Sequence, residues 1–159
     1  MAKPDNLKTR SEFLRVQNRG CKSVATAFVL QGCFQKMSAA TDANHLHHDS
    51  SAQDISAREN PWRIGYTASK RVGNAVCRNR AKRRLRAVVH NDMAKWARPN
   101  IDYVLIARAN LAEASYRLSG QDLQQALAVL HRKLDKQKLN RKTAGSASSK
   151  PVKEAQAKG

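Results

Sequence analysis

The stretch GNAVCRNRAKRRLR, Gly73 to Arg86, places Arg78, Arg80, Lys82, Arg83, Arg84 and Arg86 within nine residues and contains no acid to offset them. Guanidinium and ammonium groups at that density do one kind of chemistry well: they neutralise and hydrogen-bond phosphate oxygens. Like charges at i,i+4, as along Arg78, Lys82 and Arg86, cost about 0.2–0.5 kcal/mol per pair in an isolated helix. Solvated helix faces usually interleave acids and avoid that cost. From Arg63 to Arg86 inclusive there are nine Lys or Arg and no Asp or Glu. Such a pattern calls for an external polyanion.

The whole chain leans the same way, with 30 Lys+Arg against 12 Asp+Glu in 159 residues and a formal net charge of +18. A membrane is disfavoured as the polyanion, because no apolar run reaches ~18 residues and no amphipathic anchor is visible. The opening MAKPDNLKTR lacks the apolar core of a secretory signal. Cys21, Cys33 and Cys77 make an odd count without C-x-x-C spacing. They read as half-buried free thiols in a reducing cytoplasm rather than a disulfide framework or zinc site. Nucleic acid remains as the partner.

Other candidate chemistry is weaker. His45, His47, His48 and Asp49 form a ligand-like H-x-H-H-D cluster. It sits in a polar stretch without a rigid scaffold or a second acid to activate water, so no metal site is expected. His90 and His131 fall late in helices and are expected to hydrogen-bond near the surface. No Ser/His/Asp or Cys/His arrangement stands out, so the protein is expected to supply no catalytic group.

The elements that must position the cations follow from periodicity. TRSEFLRVQNR (9–19) reads as a short helix with Thr9 and Glu12 at capping-box spacing, Gly20 as a left-handed stop, and Phe13, Val16 and Gln17 on one face. SVATAFVLQGCF (23–34) reads as one or two strands, and WRIGYTA (62–68) alternates as a half-buried strand would. Between them, about 36–61 reads as a flexible insertion. A long helix is expected from after Asn74 to about Trp96, then a central strand in IDYVLIARA (101–109). Ser119 is expected to cap a last helix whose stripe is Leu123, Leu127, Leu130 and Leu134. One domain over 1–135 and a disordered basic tail over 136–159 complete the organisation.

At ~100° per residue, Arg78, Asn79, Lys82, Arg83 and Arg86 span ~140° of the long helix. Cys77, Ala81, Leu85 and Val88 gather opposite and should dock on the sheet, leaving Arg80 and Arg84 on the far flank in a solubilising role. Lys70 and Arg71 precede the turn at Gly73, where free N–H groups near Asn74–Val76 offer a further phosphate site. No heptads and no helix-turn-helix accompany the basic helix, which favours RNA over DNA. A structural RNA-binding protein such as a ribosomal component would share the basic patch.

The segment SKRVGNAVCRNRAKRRLR resembles the signature of the bacterial ribonuclease P protein family, K-x-x-x-x-A-V-x-R-N-x-x-K-R-x-x-R. Lys70, Ala75, Val76, Arg78, Asn79, Lys82, Arg83 and Arg86 occupy its fixed positions. LKTRSEFLRV, FVL (28–30), RIGYTASK and DYVLIAR extend the likeness from about Leu7 to Leu134. The resemblance implies an α+β domain in α-β-β-β-α-β-α order, with a mixed four-stranded sheet, three helices and a left-handed βαβ crossover. The first two strands would come from 23–34 and the region before Arg63. Such a hand is contrary to the ~98% right-handed rule.

It also implies a protein subunit that assists a catalytic RNA in removing the 5′ leader from precursor tRNA, with Mg²⁺ belonging to the RNA. Lys70, Arg71, Asn74, Arg78, Asn79, Lys82, Arg83 and Arg86 would meet the catalytic RNA. Phe13, Val16, Gln17 and Gln31 would form the leader cleft. Gln17 and Gln31 stand where some relatives carry aromatic groups, and base stacking is worth ~1–3 kcal/mol, so leader contacts here should be more polar.

Overall fold

The computed structural model describes residues 5–35, 61–112 and 116–146. Strand β5 (Ile101–Ala107) is the centre of the fold, flanked by β3 (Phe28–Phe34) antiparallel and β4 (Arg63–Ala68) parallel. Its apolar run has both ladders to fill and both faces to cover. Outside these lie β2 (Cys21–Val24), antiparallel to β3, and β1 (Asp5–Asn6), parallel to β4, giving the order β1-β4-β5-β3-β2. The sheet therefore has five strands rather than the four expected. A two-residue strand is too short for any alternation to announce it. After β1 the order is the expected one, but residues 21–34 supply both strands of the β2–β3 hairpin. The segment before Pro61 is not needed for either.

Helices α2 (Ala75–Asp92) and α3 (Tyr116–Ser146) cover one face of the sheet. Phe28, Leu30, Ile64, Tyr103 and Leu105 from the strands meet Ala81, Leu85 and Val88 of α2 and Leu123, Leu127, Leu130 and Leu134 of α3 there. Helix α1 (Arg10–Arg19) covers part of the other face, where Val16 joins Leu7, Cys33 and Val104. Alternation along β5 sends Tyr103 and Leu105 to one core and Val104 to the other.

Helix α1 starts as its sequence demands: the Glu12 carboxylate accepts from the Thr9 and Lys8 backbone N–H groups at 2.9 Å each. It does not end in the left-handed stop expected at Gly20, whose backbone is extended (φ −89°). Glycine is required there for another reason. A Cβ would lie 2.4 Å from the carbonyl oxygens of Gly32 and Val16.

Helix α3 departs from expectation at both ends. It begins at Tyr116, so Ser119 lies inside it rather than at its cap. It continues to Ser146, so at least residues 136–146 are helical rather than a disordered tail. Lys, Gln, Leu and Arg favour helix, and two side chains fix this portion to the body. Gln137 Nε2 donates to the Arg19 carbonyl at 3.2 Å, and Lys138 Nζ lies over the Phe34 ring, 5.6 Å from its centroid. Residues 147–159 and the expected insertion, apart from Pro61, lie outside the described residues, as do His45, His47, His48 and Asp49. No helix among the described residues is long and apolar enough to cross a membrane.

Candidate nucleic-acid interface

The start of α2 is built by three residues of the basic motif. Gly73 takes φ +128°, a conformation that L side chains rarely adopt, and ends the 3-10 turn Lys70–Val72. Asn74 then caps the helix, its Oδ1 accepting from the Cys77 N–H at 2.9 Å. Expected as an RNA contact, Asn74 has that acceptor committed to the helix start. Arg78 folds back, its Nη1 donating to the Gly73 carbonyl at 2.9 Å, which rigidifies the turn carrying exposed Lys70 and Arg71.

Beyond the first turn the cations gather on one side. A shallow depression is lined by Val76, Asn79, Arg80, Lys82, Arg83 and Arg86. Ala81, Leu85, Val88 and Val89 are buried opposite. Arg80, expected on the far flank, belongs to this surface. Cys77, expected on the docking side, is exposed, and Cys33 is buried rather than half-buried. Arg84 is not merely solubilising either: its Nη1 donates to the Leu111 carbonyl at 2.9 Å, tying α2 to the turn after β5.

Arg86 lies over the Tyr66 ring, 5.3 Å from its centroid. Burial pushes the Tyr66 hydroxyl up to about 12, against the opposing pull of Arg86, so the ring stays a neutral support for the guanidinium. Among the described residues, Lys70, Arg71, Arg78, Arg80, Lys82, Arg83 and Arg86 form no salt bridge with a carboxylate.

The opposite sheet face is arranged differently. Asp102, fully buried, accepts from Arg63 Nε and Nη2 at 2.8 Å each and from Arg15 Nη2. Arg63 Nη1 also reaches Glu12 at 2.7 Å. Glu12 is held at about 2, well below the usual carboxylate range. Burial acts to raise it, but the N–H groups of Thr9 and Lys8, the Thr9 hydroxyl and Arg63 together outweigh that. These four side chains clamp α1 to the sheet. Sequence reasoning missed them because Asp102 sits in an apolar run with no local partner.

The clamp holds α1 against the sheet face where the leader cleft is expected. Phe13 packs its ring over Gly65, where a Cβ would come within 2.4 Å of Phe13 Cε1. Val16, expected to line the cleft, is 1% exposed and belongs to the core beneath it. Gln17 is exposed on α1, and Gln31 is half-buried on β3 opposite Val104. The register adds a row that sequence reasoning overlooked, Val24–Val29–Ile106–Thr67, across four strands of this face. Val24 there is 62% exposed. The signal was present in β3, where Val29 and Gln31 run out of phase with buried Phe28 and Leu30.

The described histidines take structural positions. His90 is exposed beside Asn91, with 3.3 Å between Nδ1 and Oδ1. His131 is buried rather than near the surface, its Nε2 2.7 Å from the Tyr103 hydroxyl. Burial and the nearby Arg98 push its pKa down, with Asp135 opposing them. Among the described residues no group of three or more His, Cys, Asp or Glu is placed to hold a metal.

The chain is similar to known proteins. The family model for ribonuclease P matches residues 1–131. A ribonuclease P protein component from Paramagnetospirillum magneticum is 40% identical over 126 residues, covering 79% of this chain and 82% of that one. One from Gluconacetobacter diazotrophicus is 36% identical over 121 residues, covering 76% and 86%. The RNase P protein of Staphylococcus aureus superposes with a TM-score of 0.56 at 23% identity, covering 80% of this chain and 95% of that one. That of Thermotoga maritima gives 0.55 at 20% identity, covering 80% and 96%. These two structures support the fold, an α+β domain with three helices and a mixed sheet.

Proposed function

Because this chain belongs to the ribonuclease P protein family, we propose that it works as the enzyme's protein subunit by gripping two RNAs with two different faces. The subunit role in tRNA processing comes with the family. The assignment of faces is our own reading. Asn79, Lys82, Arg83 and Arg86, with Arg80 beside them and Lys70 and Arg71 at the preceding turn, hold the backbone of the catalytic RNA. The cleft beside α1, with Phe13, Gln17, Gln31 and the Val24–Val29–Ile106 row, receives the single-stranded 5′ leader of precursor tRNA. The β4–α2–β5 crossover is left-handed, the site of action is the cytoplasm, and Mg²⁺ is held by the RNA.

One observation carries this reading: a row of cations unpaired among the described residues, on one side of α2. Holding such charge together is favourable only when a polyanion supplies the countercharge. The protein contributes binding energy, and bond cleavage stays with the RNA. Mixing the chain, a bacterial ribonuclease P catalytic RNA and precursor tRNA at low Mg²⁺ tests this directly. Cleavage at the mature 5′ end is expected only when protein and RNA are both present. Equal cleavage without the protein would overturn the subunit role.

A further inference from the structure

Trp96 follows the 3-10 turn Met93–Lys95 that ends α2, at the opposite end of that helix from Asn74. It is 50% exposed, and among the described residues it is the only aromatic counted with the exposed large hydrophobic side chains. The other tryptophan shows the structural use of this residue. Trp62 packs edge-on against Tyr103, ring centroids 6.3 Å apart. Trp96 has no such ring partner, and among the described residues its indole N–H has no hydrogen-bond acceptor.

The indole forms one wall of a groove of about 640 Å³ between the α2–β5 connection and α3, with Leu127 at its floor. Lys95, Arg98 and Arg132 line it together with one acid, Asp135. Both oxygens of that acid are taken by Arg98 Nη1, at 3.1 and 2.9 Å. Exposed Lys95 and Arg132 make no ion pair among the described residues. The result is an aromatic plate beside two cations that no carboxylate answers among the described residues.

Every nucleobase has a π-face, so such a plate accepts any unpaired base, while adjacent cations meet the phosphates on either side. A peptide without acidic residues would use the small apolar floor but leave both cations without a counterion, and even acidic residues would bring no flat ring to stack on the indole. From the chemistry of the groove we infer that it is a second RNA contact. An unpaired base of the catalytic RNA stacks on Trp96, and Lys95 and Arg132 neutralise its flanking phosphates. The contact rests on the subunit role proposed above and extends the RNA-binding surface past the motif face of α2.

The test uses the full chain and an in vitro transcribed bacterial ribonuclease P catalytic RNA. Tryptophan emission is followed on titration for the wild type and Trp62→Phe, and affinity is measured for Trp96→Ala, Trp96→Phe, Arg83→Ala and the double variant Lys95→Ala/Arg132→Ala. RNA should quench Trp96 emission in both wild type and Trp62→Phe. Trp96→Ala should weaken binding roughly tenfold and Trp96→Phe much less, as base stacking requires. The double variant should reduce the slope of log K against log salt by about 1 to 2.

Unquenched emission, or Trp96→Ala binding within twofold of wild type while Arg83→Ala is weakened, would overturn the groove and leave the role of α2 standing. If neither Trp96→Ala nor Arg83→Ala weakens binding, both the groove and the motif-face assignment fall. Loss of self-association in Trp96→Ala with RNA binding unmoved would make the groove a protein-docking face and likewise overturn the inference.

Discussion

Arginine is used in two opposite ways on the two faces of this sheet. Beneath α1, Arg15 and Arg63 are sunk against Asp102 and Glu12, and their charge is spent inside the molecule. On α2, Arg80, Arg83 and Arg86 face outward, and among the described residues no carboxylate answers them. A cation count cannot separate the two. What separates them is whether the fold brings an acid to the guanidinium, and that depends on sheet register. Arg63 pairs with Asp102 across β4 and β5. Removing a clamp residue should cost stability, whereas removing a motif-face residue should cost RNA affinity and leave stability nearly unchanged.

Asp102→Ala should have the largest effect, because it strands two guanidiniums at a buried site. Breaking such a cluster from one side costs about 3–5 kcal/mol, readable as a shifted urea midpoint. Unchanged stability would mean the clamp is not holding α1.

Acid should weaken the same clamp. Glu12 is depressed to about 2 from an ordinary 4.5, so its stabilisation is present in full above about 4.5. It is lost as pH falls from there towards about 2, with an upper bound of roughly 3.5 kcal/mol at ~1.4 kcal/mol per pKa unit, which solvent screening at this partly exposed carboxylate reduces. Glu12→Gln should flatten stability against pH across that window, and a curve identical to wild type would contradict the assignment.

Arg83→Ala reverses the pattern. Stability should move by less than about 0.5 kcal/mol, as for an ordinary surface change. Affinity for the catalytic RNA should fall, and its log–log salt slope, of order −3 to −5 in the wild type, should shrink by about 1. Arg84→Ala, which removes the bond to the Leu111 carbonyl, should instead cost about 1 kcal/mol of stability with a smaller change in RNA affinity. Equal affinity losses in the two would erase the distinction between the faces of α2. Asn74→Ala should cost about 1 kcal/mol of stability from loss of the cap. A loss of affinity without that destabilisation would return Asn74 to the RNA-contacting set.

The apolar side of α2 was legible because helical periodicity is local, putting Ala81, Leu85 and Val88 together. Arg80 and Cys77 fell on the wrong sides, because which flank docks depends on the rest of the fold. Strand β5 was legible for a similar reason, a run of apolar residues long enough to need cover on both sides. Val16 shows the limit. Its spacing from Phe13 and Gln17 correctly put the three near one another, but which of them sinks into the core depends on the angle at which α1 meets Cys33 and Val104. The Arg15–Asp102–Arg63 cluster was invisible for the same cause, since its members lie 39 and 87 residues apart. The late helix beyond Leu134 was mistaken for a tail because its polar residues read as solvent-loving. Their fixation comes from the Arg19 carbonyl and the Phe34 ring, contacts that no pattern in α3 reveals.

The two-residue strand β1 has a consequence out of proportion to its size. By lying along Arg63 and Ile64, and through the Leu7 N–H to the Ile64 carbonyl at 2.9 Å, it covers the start of the outer rim of β4. Without it, those amides would offer a ready seam for a strand of another molecule, the usual first step of sideways polymerisation. Three early residues thus help keep a concentrated, freshly made chain apart from its neighbours until RNA arrives to claim it.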